Sequence, residues 1–204
     1  MIKTHIYVLM GIGIVAALIT SIAVYILMPR GEPLKLQKPE ILIESLKNGD
    51  IICRLGDRFW SQYFRDISAE DRRFSHMGII RIHDDQVTVI HAEGTTQSGK
   101  DFVKEEPIDS FLSKARAIGI YRGQDADGDH IAHVAMEYLG LPFDWQFDMT
   151  DNSRIYCTEL LYVVLKQAMP EVELNTVYIK EMGKDIIPLD SISKSEYFTE
   201  IFFQ

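Results

Sequence analysis

The sequence predicts an α+β domain, in which a buried helix lies across a small antiparallel sheet, preceded by one N-terminal transmembrane helix. Three observations carry that reading. Residues 157–168 place Leu160, Leu161, Val164, Leu165 and Ala168 at the three-and-four spacing of a helical stripe, and Pro170 ends the run. Residues 74–82 and 87–93 read as strands joined by His83-Asp84-Asp85-Gln86, a hairpin turn. Residues 6–28 carry no charge, and at 1.5 Å per residue they reach about 34 Å, enough to cross about 30 Å of hydrocarbon.

Composition sets the limits. A chain of 204 residues, 47% hydrophobic, can bury one well-packed core beside an appendage. A net charge of -9 argues against a nucleic-acid surface, so no nucleic-acid partner is expected. Two cysteines cannot build a disulfide framework, and no CxxC pair is present to bind zinc. Neither a metal nor another cofactor is expected.

Taken in order, residues 1–28 read as an anchor, 29–39 as a linker and 40–204 as the folded domain. A cleaved signal peptide is the competitor, but its apolar region is usually about 7–15 residues. No small-x-small cleavage site follows the run. Lys3 precedes the helix and Arg30 follows it, a small bias that points to the N-terminus inside and the domain outside the cytoplasm. Pro29, Gly31, Pro33 and Pro39 make the next segment a tether.

Residues 41–47 suggest a short helix closed by Asn48-Gly49, and residues 50–54 a strand in which Cys53 reads as core packing. Residues 59–67 can form a short amphipathic helix, and 70–73 a solvated loop. With Asp84 and Asp85 at the hairpin tip, His76 falls opposite Glu93 and Gly78 opposite His91. Cross-strand partners share a face, so His76, His91 and Glu93 point the same way and Gly78 leaves room between them. A sheet core seldom gathers three titratable groups without a use for them.

Residues 94–104 read as a polar loop, 107–112 as a helical turn and 117–122 as a strand. Asp125, Asp127 and Asp129 do not make an EF-hand, because Gly128 falls at the fourth loop position and Met136 at the twelfth. Asp129 reads as the N-cap of a helix over residues 130–139, whose polar face carries His130, His133 and Glu137. A solvated face explains those three better than a metal site. The aromatic residues Phe143, Trp145 and Phe147 are placed to wall a cleft leading to Cys157. After Pro170, residues 176–179, 186–187 and 197–203 read as loop and strand pieces.

Cys157 falls in the first helical turn, on the inward side, beside the positive end of the macrodipole. That setting favours a thiolate, lowering the usual thiol pKa of about 8.5. A buried cysteine is ordinarily a small core residue, so the reactive reading needs a base nearby.

At this point the order of short motifs is informative. Asn48-Gly-Asp-Ile-Ile52, Ser75-His-Met-Gly-Ile-Ile80, Ile90-His-Ala92, Gly140-Leu-Pro-Phe-Asp144 and Tyr156-Cys-Thr-Glu-Leu160 together resemble the YiiX/YaeF-type permuted papain-like amidases. These belong to the NlpC-like superfamily of cysteine hydrolases, which includes the lecithin retinol acyltransferase group. The resemblance covers residues 40–190 and implies a permuted papain-like fold with Cys157 as nucleophile, His76 as general base and His91 in the third, orienting position. Members of this subgroup often carry glutamate where this chain has His91, which leaves the third role divided between His91 and Glu93.

The chemistry agrees independently. Acyl transfer needs a thiolate, an imidazole that takes and returns a proton, and a group that fixes the ring. The backbone N–H of Cys157 can serve as one oxyanion donor, with Tyr156 lining the same pocket. The expected function is a membrane-anchored cysteine hydrolase that cleaves a peptide or N-acyl amide bond. Its partners would be a cell-wall peptide or an acyl-lipid or N-acyl amide substrate, with the membrane held by the N-terminal helix. The rivals are a lipid acyl hydrolase or acyltransferase on the same fold, a catalytically idle cell-envelope binding module, and a chelator-sensitive hydrolase using His130 and His133.

Residues 1–28 should stay attached and hold the domain at the membrane. N-terminal sequencing of fractionated cells checks this, and a soluble protein that begins beyond Arg30 overturns it.

Overall fold

The described strands are β1 (Ile51–Gly56), β2 (His76–His83), β3 (Gln86–Glu93), β4 (Phe102–Pro107), β5 (Ala115–Gly123), β6 (Val177–Ile179), β7 (Lys184–Ile186) and β8 (Phe198–Phe203). Six of them form one antiparallel sheet in the order β4-β3-β2-β1-β5-β8, and β6 pairs separately with β7. With them run the α-helices α1 (Ile108–Leu112), α2 (Gly128–Met136), α3 (Cys157–Ala168) and α4 (Asp190–Ser193), and a 3-10 turn at Ile43–Ser45. The computed structural model describes residues 43–56, 65–68, 70–94 and 101–204, all within the unit Lys38–Gln204. The expected anchor (1–28), the linker (29–39) and most of the amphipathic segment 59–67 lie outside the described residues. No helix among the described residues is long and apolar enough to cross a membrane.

Strand alternation sorts the core into two layers. Ile51, Cys53, Met77, Ile79, Ile90, Ala92 and Val103 face Ile131, Val134 and Ala135 of α2 and Leu160, Leu161, Val164 and Leu165 of α3. Ile52, Ile80, Val89, Ile118 and Ile120 face the other way, onto Ile108, Phe111 and Leu112 of α1. The stripe on α3 is therefore buried as its spacing requires, and the helix ends at a Met169 cap before Pro170. The α+β arrangement and the helix on an antiparallel sheet are both present, and the sheet is covered on both faces.

The hairpin forms in the expected register. Ile79 pairs with Ile90, Ile80 with Val89 and His83 with Gln86, while Asp84 and Asp85 take φ values of 49° and 60°. Two left-handed residues in succession give the turn that matches strand twist. The ladder stops at Ile79–Ile90, so His76 and Gly78 share a face with His91 and Glu93 without being laddered to them.

Two local expectations are corrected. The edge strand β4 takes in residues 102–104, which read as the end of a polar loop, and runs on to Pro107; its charges are tolerated because each is partnered across the sheet. The cap of α2 is Asp127, whose carboxylate accepts from the His130 N–H, so the cap lies two residues before the predicted Asp129. The Asn48-Gly49-Asp50 motif is a clamp: Asn48 Oδ1 accepts from the Ile82 N–H and Asp50 pairs with Arg122.

Gly78 is a packing requirement at the site. A Cβ there would lie 2.6 Å from Val89 Cγ1, 2.9 Å from the Ile90 carbonyl and 3.0 Å from His91 Cβ. Gly78→Ala should lower stability by about 1–3 kcal/mol through overpacking and should displace His91. Chemical denaturation of the variant checks the first effect.

Candidate active site

The turn that carries Cys157 is held by each of its neighbours. The Tyr156 hydroxyl accepts from the Ile187 N–H at 3.2 Å, and Thr158 Oγ1 donates to the Ile187 carbonyl at 2.6 Å. Glu159 accepts from the Tyr156 N–H at 3.3 Å, satisfying a donor just before the helix. Cys157 is left at the helix N-terminus, beside an apolar cleft that Ile67, Phe147, Tyr156, Ile187 and Leu189 help to line. Of the expected aromatic wall, Phe147 lines the cleft, whereas Trp145 is exposed and packs edge-on against Phe143.

The backbone N–H groups of Thr158, Cys157 and Met77 favour negative charge on the Cys157 sulfur. Burial pushes the thiol up to about 11, outweighing those donors and the Arg54 charge, which favour a thiolate. The sequence expectation of a lowered pKa is therefore corrected. The dipole acts in the predicted direction, but desolvation of a buried thiolate is the larger effect. Cys53, in the middle of β1, is pushed higher still by its burial and the nearby Asp71.

His76 begins β2, adjacent in sequence to the Met77 whose N–H meets Cys157. Ser75 fixes this start: its N–H donates to the Arg54 carbonyl at 2.9 Å, and its Oγ accepts from the Gly56 N–H at 2.9 Å. The His76 ring stacks on Phe111 at 5.7 Å, so it lies on the α1 face while α3 packs the opposite one. Cys157 and His76 thus belong to elements on opposite faces of the sheet, and Met77, next to His76 in β2, is the strand residue whose N–H is directed at the sulfur. No hydrogen bond joins them among the described residues.

The two imidazoles do meet, with His76 Nε2 and His91 Nδ1 2.8 Å apart. Burial, then the Arg54 charge, holds the His76 pKa well below its usual value, and burial likewise lowers that of His91. Both rings are therefore neutral near pH 7. Glu93 is turned elsewhere: Oε1 pairs with Arg54 at 2.8 Å, and Oε2 with Lys104 at 2.5 Å and Lys114 at 3.3 Å. Burial would raise the Glu93 pKa, but His76, Lys104, His91 and Arg54 hold it far below the carboxylate range. Glu106 of β4 completes the group, with Oε1 3.1 Å from His91 Nε2.

Arg54, Lys104, Glu106, Phe111 and Lys114 carry no site signal of their own in the sequence. The one available clue was Phe102-Val103 ahead of Lys104-Glu105-Glu106, an edge-strand composition that resembles a loop. His91, Glu93 and Glu106 place ligand atoms within 4.8 Å of one another. Their carboxylates are already matched by Arg54, Lys104 and Lys114, so a dication does not fit the cluster as built. His130, His133 and Glu137 do not form such a group; the one metal-type cluster among the described residues does not include them.

Three buried groups give a pH signature. Each neutral histidine binds less proton folded than unfolded, so its stability contribution is lost as pH falls below about 6.5. Glu159 acts oppositely: burial pushes it up to about 7, so it binds more proton when folded. Two histidines against one carboxyl leave a net loss of stability as pH falls below about 6.5. Glu159→Gln should steepen that loss, as denaturant unfolding between pH 7 and 5 would show.

Comparison with known proteins gives a consistent result. Residues 45–199 match the family described as permuted papain-like amidase enzyme, YaeF/YiiX, C92 family. The uncharacterized protein YiiX of Escherichia coli strain K12 is 26% identical over 130 residues, covering 60% of this chain and 59% of that protein. The crystal structure of metalloprotein yiiX from Escherichia coli O157:H7 aligns with a TM-score of 0.65 at 17% identity, covering 78% of this chain and 97% of that one. At that identity the structural likeness speaks for the fold alone. Family match, fold and motif order agree, and the chain belongs to the YaeF/YiiX family of permuted papain-like amidases.

Proposed function

We propose that this protein hydrolyses an amide bond with Cys157 as nucleophile, His76 as general base and His91 orienting the His76 ring. The observation that carries the reading is the helix-terminal sulfur, favoured as thiolate by three backbone N–H groups, one of them from Met77, the residue that follows the neutral His76 in β2. Because Cys157 rests as a thiol, the base has to remove its proton during the reaction; no resting thiolate–imidazolium pair is required. Hydrogen bonds between such groups commonly tighten only when substrate binds.

The steps follow from these positions. His76 takes the thiol proton as sulfur attacks the substrate carbonyl carbon. The Cys157 N–H donates to the oxyanion. His76 then protonates the leaving amine, and water released onto the thioester by the same base frees the acid. His91 is assigned the orienting role because its Nδ1 reaches the His76 ring directly, whereas both Glu93 oxygens are taken by cations.

The apolar lining of the cleft supports a second reading of the substrate, an acyl-lipid or N-acyl amide, against a cell-wall peptide. Attachment through residues 6–28, with the domain outside the cytoplasm, would place such a lipid within reach and remains part of the proposal. The solved Escherichia coli O157:H7 relative is described as a metalloprotein; the ion-paired cluster here argues for metal-independent chemistry in this chain.

Iodoacetamide should modify Cys157 faster than Cys53 in the full chain near neutral pH, and His76→Ala should slow Cys157 while leaving Cys53 unchanged. Against panels of muropeptides and acyl lipids, Cys157→Ser should abolish turnover. His91→Ala should depress kcat by about 10²–10⁴ and far more than Glu93→Gln. Equal labelling of the two cysteines, or the reverse ranking of the two variants, counts against these assignments.

A further inference from the structure

The direction of the single proton between the two imidazoles is not set by their own separation. His76 Nε2 and His91 Nδ1 lie 2.8 Å apart, so one of them carries hydrogen and the other a lone pair. What decides between them sits at the far side of His91. We propose that Glu106 is a positioning residue that fixes the tautomer of both rings, leaving the Nδ1 of His76 as the unprotonated, basic nitrogen. This rests on the amidase reading above and extends it to a residue on a third strand.

His91 is 0% exposed, and its Nε2 faces Glu106 Oε1 across 3.1 Å. The contact is too bent to count as a well-formed hydrogen bond, yet neither atom has any other hydrogen-bond partner. An ionised carboxylate can only accept. Burial works against ionisation of Glu106, but the His91 contact and the Lys104 and Lys114 charges hold its pKa at about 2. His91 Nε2 must therefore carry the hydrogen.

The rest follows from proton counting. A neutral His91 protonated at Nε2 presents a lone pair at Nδ1. His76 then has to donate from Nε2, and its Nδ1 is the free base. The opposite tautomers would set a buried lone pair against a carboxylate and leave His76 protonated at Nδ1, where it could not accept from sulfur. During the reaction the Cys157 S–H bond breaks and an Nδ1–H bond forms on His76, with no electrons gained or lost. The imidazolium so created on His76 keeps its Nε2–H bond to His91, whose own Nε2–H faces the Glu106 carboxylate. Glu93 cannot substitute, since Arg54, Lys104 and Lys114 hold its oxygens.

Two measurements on the full chain in detergent micelles test this. Nitrogen-15 NMR of the imidazoles, assigned by loss of signals in His91→Asn, should show hydrogen on Nε2 of both rings in the wild type. Glu106→Gln, whose amide can either accept or donate, should populate the Nδ1–H form of His91. The same variant should slow Cys157 alkylation at neutral pH by about tenfold, the equivalent of one unit in thiol pKa, and move its pH profile upward. Glu105→Gln, on the same strand but bonded to Arg81 and Thr88, should change neither. Hydrogen on Nδ1 of wild-type His91 overturns the proposal even if Glu106→Gln fails to fold. So does an unchanged tautomer or pH profile in a folded Glu106→Gln. Loss of the wild-type signature on chelation would transfer Glu106 to a metal and also overturn it. If wild-type alkylation is instead indifferent to His76→Ala, the amidase reading fails, while the NMR result still decides the role of Glu106.

Discussion

Arg54 ties the site end of the sheet together. It is buried, donates to Glu93 at 2.8 Å and to the Phe111 carbonyl at 2.9 Å, and its guanidinium lies 4.1 Å over the Phe111 ring. In one side chain it connects β1, β3 and α1, at the point where β2 and β3 cease to pair. A buried guanidinium is tolerable only when its donors are met and a carboxylate is opposite, and losing one partner of such a pair costs about 3–5 kcal/mol. That demand fixes where Glu93 points, which in turn removes Glu93 from competition for the histidine rings. The same positive charge also disfavours protonation of His76. The arrangement of the imidazoles thus depends on an ion pair that touches no reacting atom.

The second consequence of burial is that both partners of the proposed nucleophile pair rest neutral. A helix terminus and three N–H groups are a strong local bias towards thiolate, and they are overridden because burial withdraws the solvent that a charged sulfur needs. A neutral thiol keeps its proton from a neutral imidazole until something organises the transfer. Under the proposed chemistry, that something is substrate, whose carbonyl gives the developing charge somewhere to go.

The hairpin was legible from its residues. Its turn needed two positions tolerant of positive φ, which Asp84 and Asp85 supplied, and period-two alternation then placed His76, His91 and Glu93 on one face. The stripe on α3 was equally plain, since a helix that buries Leu160, Leu161, Val164 and Leu165 has to repeat them at that spacing. β4 was not legible, because Lys104, Glu105 and Glu106 look like solvent-facing charge until their partners on neighbouring strands are known. For the same reason Glu106 escaped notice: its significance comes from a diagonal contact with His91 and from nothing in its own vicinity along the chain.

Sequence alone determined the α3 stripe, the hairpin with its register and the residues that share its face, because each follows from local periodicity and turn chemistry, and five short motifs in order carried the resemblance to the family. Tertiary structure decided the charge states and the partners. Whether Cys157 is thiol or thiolate depends on how much water the packed core excludes. Whether His91 or Glu93 reaches His76 depends on which cations already hold the carboxylate. Both are properties of contacts made between residues distant along the chain, where desolvation and Coulomb terms of several kcal/mol outweigh any local preference.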